Sequence, residues 1–235
     1  VPLPAQTEVL GALNEELDAR DVVVQAAGSM PGQLQMLWRA KDPKQYHVEY
    51  GYSCMGYEIA GALGVKMAAP DREVFALVGD GSYLMMAQEL VTAVSEGVKL
   101  NVVIVQNHGF ASIGALSESV GSQRFGTRYR YRTESGQLDG DVLPVDLAAN
   151  AASLGAEVIR VRTIAEFREA IKRSRAATRT TVIHIETDPL APAPDNEAWW
   201  DVPVAEVARL DTTVAARRTY EADKQKQRPL IGGAS

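Results

Sequence analysis

Two apolar runs, FALV at residues 75–78 and VVIV at residues 102–105, give way to polar residues, the first at Asp80 between Gly79 and Gly81, the second at Asn107. An Asp and an Asn at the ends of two buried-strand patterns, with a helical stretch between them, can offer two side-chain oxygens from fixed backbone. Mg2+ takes about six oxygen ligands in near-octahedral geometry and commonly bridges one or two protein oxygens to phosphates. Gly81 and Ser82 open the intervening helix, whose free N–H groups and positive dipole end favour a phosphate. Gly109 has no side chain to keep its carbonyl from a metal. Asp80, Asn107 and Gly109 are therefore candidate Mg2+ ligands, and Gly81 and Ser82 candidate diphosphate contacts. A lone Gly-Asp-Gly is more often plain turn chemistry. The spacing to Asn107 favours the metal.

The elements that must hold these residues alternate between strand and helix. Residues 7–19 have apolar positions at helical spacing, with Thr7 as N-cap. Residues 21–29 (DVVVQAAGS) read as a buried strand running into a Gly-Ser turn. Residues 54–69 read as a buried helix whose close-packing face is Gly56, Ala60, Gly64 and Ala68. Residues 73–80 are a strand, 83–97 one amphipathic helix ending on Gly97, and 101–107 the next strand. Helix, strand, helix and strand follow at 145–156, 156–162, 164–177 and 181–188. Continuous Val/Ile strands separated by helices predict an α/β fold, a doubly wound and mostly parallel sheet with helices on both faces. Ligands in such sheets bind at the carboxyl ends of the strands, where Gly28-Ser29, Asp80 and Asn107 all fall. Residues 108–141 lack periodicity and read as a long functional loop. The chain divides into a cofactor-binding domain at 1–190 and an extended, then helical, tail at 191–235.

GDGS with Asn107 behind it resembles the thiamine diphosphate motif of the superfamily that includes pyruvate decarboxylases and acetolactate synthases. The stretch GYSCMGYEIAGALG at residues 51–64 is similar to the segment that precedes that motif. The resemblance implies thiamine diphosphate and Mg2+ as cofactors, with Asp80, Asn107 and the Gly109 carbonyl on the metal. It implies that Met55 wedges under the cofactor, that the Ser53 carbonyl receives its aminopyrimidine, and that Gly28 and Ser29 contact the diphosphate. Core filling for Met55 and a plain turn at Gly28-Ser29 remain open. Residues 50–68, 106–127 and the WWDVPVAEV tail narrow the resemblance to the branch that hydrolyses a C–C bond of a cyclic 1,2-diketone in bacterial inositol breakdown. Carboligase-like, decarboxylase-like and non-catalytic binding readings remain open, because cofactor motifs do not select a reaction.

The family also has a pyrimidine-binding domain, carrying an activating glutamate, and a central domain. This chain looks like the diphosphate-binding domain alone. Glu58 and Glu89 lie beside the motifs but match no catalytic position. Partner domains and at least a dimer are expected, with poor catalysis by this chain in isolation. His108, just past the metal ligands, is the candidate proton shuttle, with a surface-loop histidine as the alternative. His47 and His184 read as structural, Cys54 as a small buried side chain, and Trp199-Trp200 as an anchor for the tail or a partner.

At 235 residues and 46% hydrophobic, the chain can bury one sizeable core. A net charge of −6 argues against a nucleic-acid footprint. A single cysteine and no apolar stretch of membrane-spanning length predict a cytoplasmic protein. Val1 in place of Met marks a start that is processed, trimmed or internal to a longer chain.

Overall fold

The computed structural model describes residues 2–191 and 201–228. In chain order the elements are α1 (Gln6–Glu16), β1 (Val22–Gln25), α2 (Met30–Leu37), β2 (Tyr46–Val48), α3 (Tyr57–Ala68), β3 (Val74–Gly79), α4 (Asp80–Met86) and α5 (Glu89–Ser95). They continue with β4 (Asn101–Gln106), α6 (Ala111–Ser119), α7 (Leu147–Ser153), β5 (Glu157–Val161), α8 (Ile164–Ala176), β6 (Thr181–Glu186) and α9 (Asp211–Lys224). The six strands form one sheet in the order β2-β1-β3-β4-β6-β5, every pair parallel.

Because side chains alternate across a strand, the Val/Ile runs feed two cores. Val23, Phe75, Leu77, Val103 and Ile183 pack under α1, α2 and α8. Val24, Ala76, Val78, Ile104 and Val182 pack under α3, α5 and α7. The chain leaves β1 toward β2 on one side and reaches β3 on the other. The strand order therefore reverses between β1 and β3, where a doubly wound sheet opens a crevice. Asp80 stands at the end of β3, beside that opening.

Several sequence expectations shift. The first helix begins at Gln6, with Ala5 as its cap and the Ala5 N–H donating to Glu8 Oε2 at 2.8 Å, so Thr7 is not the N-cap. The third helix starts only at Tyr57, because Gly56 takes a left-handed φ of 94°. It buries Glu58, Ile59, Ala62 and Leu63. Gly64 and Ala68 are exposed instead of forming the packing face, since the larger apolar area of Ile59 and Leu63 sets the helix's phase. The helix expected over 83–97 is two short ones, α4 and α5, joined at Ala87-Gln88. The supposed loop at 108–141 holds α6 and two antiparallel bridges, Gly109–Arg128 and Arg130–Val142. Cys54 is exposed, not buried: Glu49 accepts the Tyr52 and Cys54 amides and holds this turn at the surface. Trp199-Trp200 lie outside the described residues. No helix among the described residues is long and apolar enough to cross a membrane.

His184, near the end of β6, is buried and bonded through Nε2 to Gln106 Oε1 at 2.6 Å. Burial pushes its pKa below 6.5, with Arg160 and His108 also lowering it and Glu186 and Asp146 pulling the other way. The unfolded chain takes up this proton near pH 6.5 while the folded chain resists, so stability is full above that pH and falls as pH drops below it. Unfolding free energies from urea titrations between pH 7 and 5 are expected to fall by up to about 1.4 kcal/mol per pH unit more steeply in wild type than in His184→Gln. Equal slopes would show that His184 carries none of this linkage.

Candidate functional site

Asp80 is the first residue of α4 and is 1% exposed. Its Oδ1 accepts the Asn107 amide at 2.8 Å and its Oδ2 accepts the His108 amide at 2.9 Å. The carboxylate thus clamps the end of β3 to the turn that follows β4. Burial raises its pKa above the usual range, partly offset by these N–H groups and by His108. Such a carboxylate is costly to keep charged without a cation. Asn107 Oδ1 is buried and has no hydrogen-bond partner among the described residues. A buried amide oxygen left without a donor, beside a buried carboxylate, suits a cation ligand.

His108 has a left-handed φ of 60° and redirects the backbone. Gly109 then runs against residues 127 and 128: the Phe110 amide donates to Thr127 O at 2.8 Å and the Tyr129 amide to His108 O at 3.0 Å. A Cβ on Gly109 would lie 2.2 Å from Thr127 O, so only glycine fits this approach. At Gly81 a Cβ would meet Phe110 Cε1 at 2.4 Å and Met55 Cε at 2.7 Å. The absence of that carbon lets Phe110 and Met55 close on the head of α4 and floor a cradle there.

Gly28, Ser29, Met55, Asp80, Gly81, Ser82, Asn107 and Gly109 line one cleft. The structure therefore brings together eight of the ten residues singled out from sequence. Gly28 turns the chain after β1 with φ 93°, and the Ser29 hydroxyl bonds Gln6, which also lines the cleft. Ser53 is exposed, with φ 53°, and does not line it.

The His108 ring faces away. Gln106 Oε1 takes the His184 bond, so Gln106 Nε2 donates to His108 Nδ1 at 3.1 Å, leaving His108 Nε2–H directed at Glu186 Oε2 at 3.3 Å. His108 lines a neighbouring pocket that shares Asn107, Gly109 and Ala111 with the cleft. Sequence reasoning missed Gln6, Gln106 and Glu186. Only Gln106 leaves a signal, a polar residue closing an apolar run just before Asn107.

The described residues hold no cluster of three or more His, Cys, Asp or Glu able to take a metal. Asp80, Asn107 and Gly109 line the same cleft and offer oxygens of low total charge. Such a set fits a hard cation that draws its remaining ligands from phosphate and water. The residues present thus suit a metal-bound diphosphate.

A parallel doubly wound sheet with this cleft at its switch point defines a nucleotide- or diphosphate-binding domain. Residues 26–185 match the family described as thiamine pyrophosphate enzyme, C-terminal TPP binding domain. The chain belongs to that family. It is 45% identical over 224 residues to 3D-(3,5/4)-trihydroxycyclohexane-1,2-dione hydrolase 2 of Bacillus cereus, and 44% identical to the corresponding hydrolase of Bacillus anthracis. Each alignment covers 95% of this chain and 35% of the relative, so the chain spans about a third of their length. Among solved structures it is similar to the thiamine diphosphate-dependent 4-hydroxybenzoylformate decarboxylase of Rhodococcus jostii RHA1. The TM-score is 0.67 at 20% identity, covering 80% of this chain and 33% of that one, a likeness of fold.

Proposed function

We propose that this chain is the diphosphate- and metal-holding half of the cofactor site in a ring-opening hydrolase that cleaves a C–C bond of a cyclic 1,2-diketone. The reading rests on the unpartnered Asn107 Oδ1 beside Asp80 for the cofactor, and on the relatives named as trihydroxycyclohexane-1,2-dione hydrolases for the substrate class. In this reading the domain occupies residues 1–190 and 191–235 form a tail. The enzyme works in the cytoplasm in inositol breakdown. Pyrimidine-binding and central domains complete it, in an oligomer that closes the site.

Asp80, Asn107 and the Gly109 carbonyl would hold Mg2+. Gly28, Ser29, Gly81 and Ser82 would take the diphosphate, with the N-terminal amides of α4 directed at negative charge. Bound thiamine diphosphate supplies the electron sink for C–C cleavage. Met55, packed at the cradle beside Gly81, would support the cofactor's rings, and the Ser53 carbonyl, outside the cleft lining, would receive the aminopyrimidine. Phe110 and Met55 keep water from the cradle floor. His108 would hold or move a proton from the neighbouring cavity, its Nδ1 fixed by Gln106 and its Nε2–H by Glu186.

The test is release of open-chain acid from 3D-(3,5/4)-trihydroxycyclohexane-1,2-dione by the chain assembled with pyrimidine-binding and central domains, beside a 2-keto acid. Ring opening without CO2 release from the keto acid is expected. The converse would overturn the substrate class. His108→Ala should lower turnover at least about tenfold with little change in cofactor affinity. Unchanged turnover would remove His108 from the mechanism.

A further inference from the structure

The pocket beside the cofactor cleft differs from it in charge. The two share Asn107, Gly109 and Ala111, but the second takes in Arg124, Arg128 and Arg130 and is lined by no Asp or Glu. Like charges gathered in one place repel, so their grouping needs a reason.

The backbone brings them there. Gly109 and Arg128 form an antiparallel bridge, and a Cβ on Gly109 would lie 3.0 Å from Arg128 Cα. The glycine proposed as a metal ligand therefore also admits Arg128 to the side of the metal turn. Two residues on, Arg130 bridges Val142, and its Nη1 donates to Gly140 O at 2.9 Å. Arg124 is held by Glu118 Oε2, from Nε at 2.8 Å and from Nη2 at 2.6 Å. Arg130 thus has a neutral partner and Arg124 a carboxylate, which leaves the Arg128 guanidinium without a partner among the described residues. Tyr129, between Arg128 and Arg130, belongs to the same lining. Its hydroxyl is buried and has no hydrogen-bond partner among the described residues. A buried donor in that state calls for an acceptor.

A guanidinium presents its N–H groups as a planar fork that grips a carboxylate through two parallel bonds. A cyclic diketone is uncharged and gives such forks no partner. Its hydrolysis breaks one C–C bond and adds one water, the acyl carbon taking the hydroxyl and the other carbon a hydrogen. The product is an open-chain aldehyde with a carboxylic acid at its other end, ionised at neutral pH. We infer that Arg128 and Arg130, flanked by Arg124, form a carboxylate pocket that takes up the acid end of the ring-opened product. This rests on the ring-opening reading above and adds to it a site selective for product over substrate.

The experiment titrates the chain, without cofactor, with the open-chain acid and with its neutral amide, by calorimetry. It compares wild type, Arg128→Gln and Arg179→Gln, the last replacing an exposed arginine that lines neither this pocket nor the cleft. Arg128 is itself exposed, so its loss should leave the fold intact. The acid should bind wild type and the amide should not. Arg128→Gln should weaken acid binding about 10- to 100-fold, and Arg179→Gln by less than about twofold. Mg2+-dependent affinity for thiamine diphosphate should stay within about threefold of wild type in Arg128→Gln. No binding of the acid, equal binding of the amide, or acid binding unchanged in Arg128→Gln would overturn the inference. So would an equal loss of thiamine diphosphate binding in Arg128→Gln, since the guanidinium would then serve the diphosphate. Inorganic phosphate binding more tightly than the acid, and through Arg128, would likewise remove the carboxylate assignment. Should the acid bind through Arg128 while the chain assembled with its partner domains opens no ring, the hydrolase reading fails and the carboxylate pocket stands.

Discussion

Asp80→Ala is expected to weaken Mg2+-dependent binding of thiamine diphosphate by about a thousandfold, roughly 4 kcal/mol. The variant loses two things together. It removes the single carboxylate of the oxygen set, leaving one amide oxygen and one backbone carbonyl to hold a doubly charged ion. It also frees the Asn107 and His108 amides, now fixed at 2.8 and 2.9 Å, so the turn that carries the other two proposed ligands loses its tether. Fold stability should change far less than binding. The lost hydrogen bonds destabilise, but the carboxylate they serve is itself a cost, because burial raises its pKa and the folded state must hold the charge at neutral pH. Asp80→Asn separates the two effects: it keeps an acceptor for one amide and removes the charge. Affinity should then recover only in part, with the turn restored. The same logic sets a pH dependence. A metal needs Asp80 ionised, so affinity should decline as pH falls into the raised carboxylate range. Calorimetry at fixed ionic strength decides the matter, and binding of Asp80→Ala within tenfold of wild type would sink the metal assignment.

What could be read from the sequence was whatever periodicity and spacing encode. The Val/Ile runs of β1, β3, β4 and β6 mark buried parallel strands, and their polar ends mark the site, because strand ends gather at one edge of such a sheet. The elements that escape are those whose burial is decided elsewhere. Strand β2 has three half-buried residues at the sheet edge, Tyr46–Val48, with no apolar run to mark it. Helix α6 (ASIGALSES) buries only Gly114, so its face carries almost no apolar stripe. The stripe of small residues on α3 misleads about which side packs, since Ile59 and Leu63 offer more area to the sheet than Gly64 and Ala68. Cys54 is a similar case: its exposure follows from the carboxyl of Glu49 gripping the turn, a contact that spacing alone does not suggest.

The polar residues of the site divide along the same line. Asp80 and Asn107 are legible because they interrupt apolar runs at a telling interval. Glu58 is no less buried, yet a Glu in the first turn of a helix looks like a solvated residue in sequence, and Gln106 shows only as a polar residue closing an apolar run. What buries them is the close arrival of other segments: the turn at Ala27 over Glu58, and β6 with His184 beside Gln106. The same tertiary fact turns the His108 ring out of the cleft. Its neighbour in sequence is a metal-ligand candidate, but its left-handed backbone sends the side chain to Gln106 and Glu186 instead.

Asn107→Ala should move stability and binding in opposite directions. Without cofactor, Asn107 Oδ1 is a buried acceptor with no donor among the described residues, and a group in that state costs about 1–3 kcal/mol. Truncation removes it, so the variant without ligand should unfold at a higher urea concentration, by about 1 kcal/mol once the lost packing of the side chain is set against the gain. The backbone amide that Asp80 holds is untouched, so the turn keeps its place. With Mg2+ present the sign reverses. The same oxygen would be one of the side-chain ligands, and its loss should weaken thiamine diphosphate binding by about a hundredfold, near 2.7 kcal/mol. A residue retained only for structure would lower stability on truncation and leave binding alone. One retained for a ligand does the reverse, because the fold tolerates an unmet acceptor only where something arrives to meet it. Unfolding curves with and without Mg2+ and thiamine diphosphate therefore test the site directly: the stabilisation by ligand seen in wild type should shrink in Asn107→Ala while the unliganded curve shifts upward. Destabilisation of the unliganded variant, with the ligand-induced shift intact, would mean that Asn107 is a structural residue and that the cation is held elsewhere.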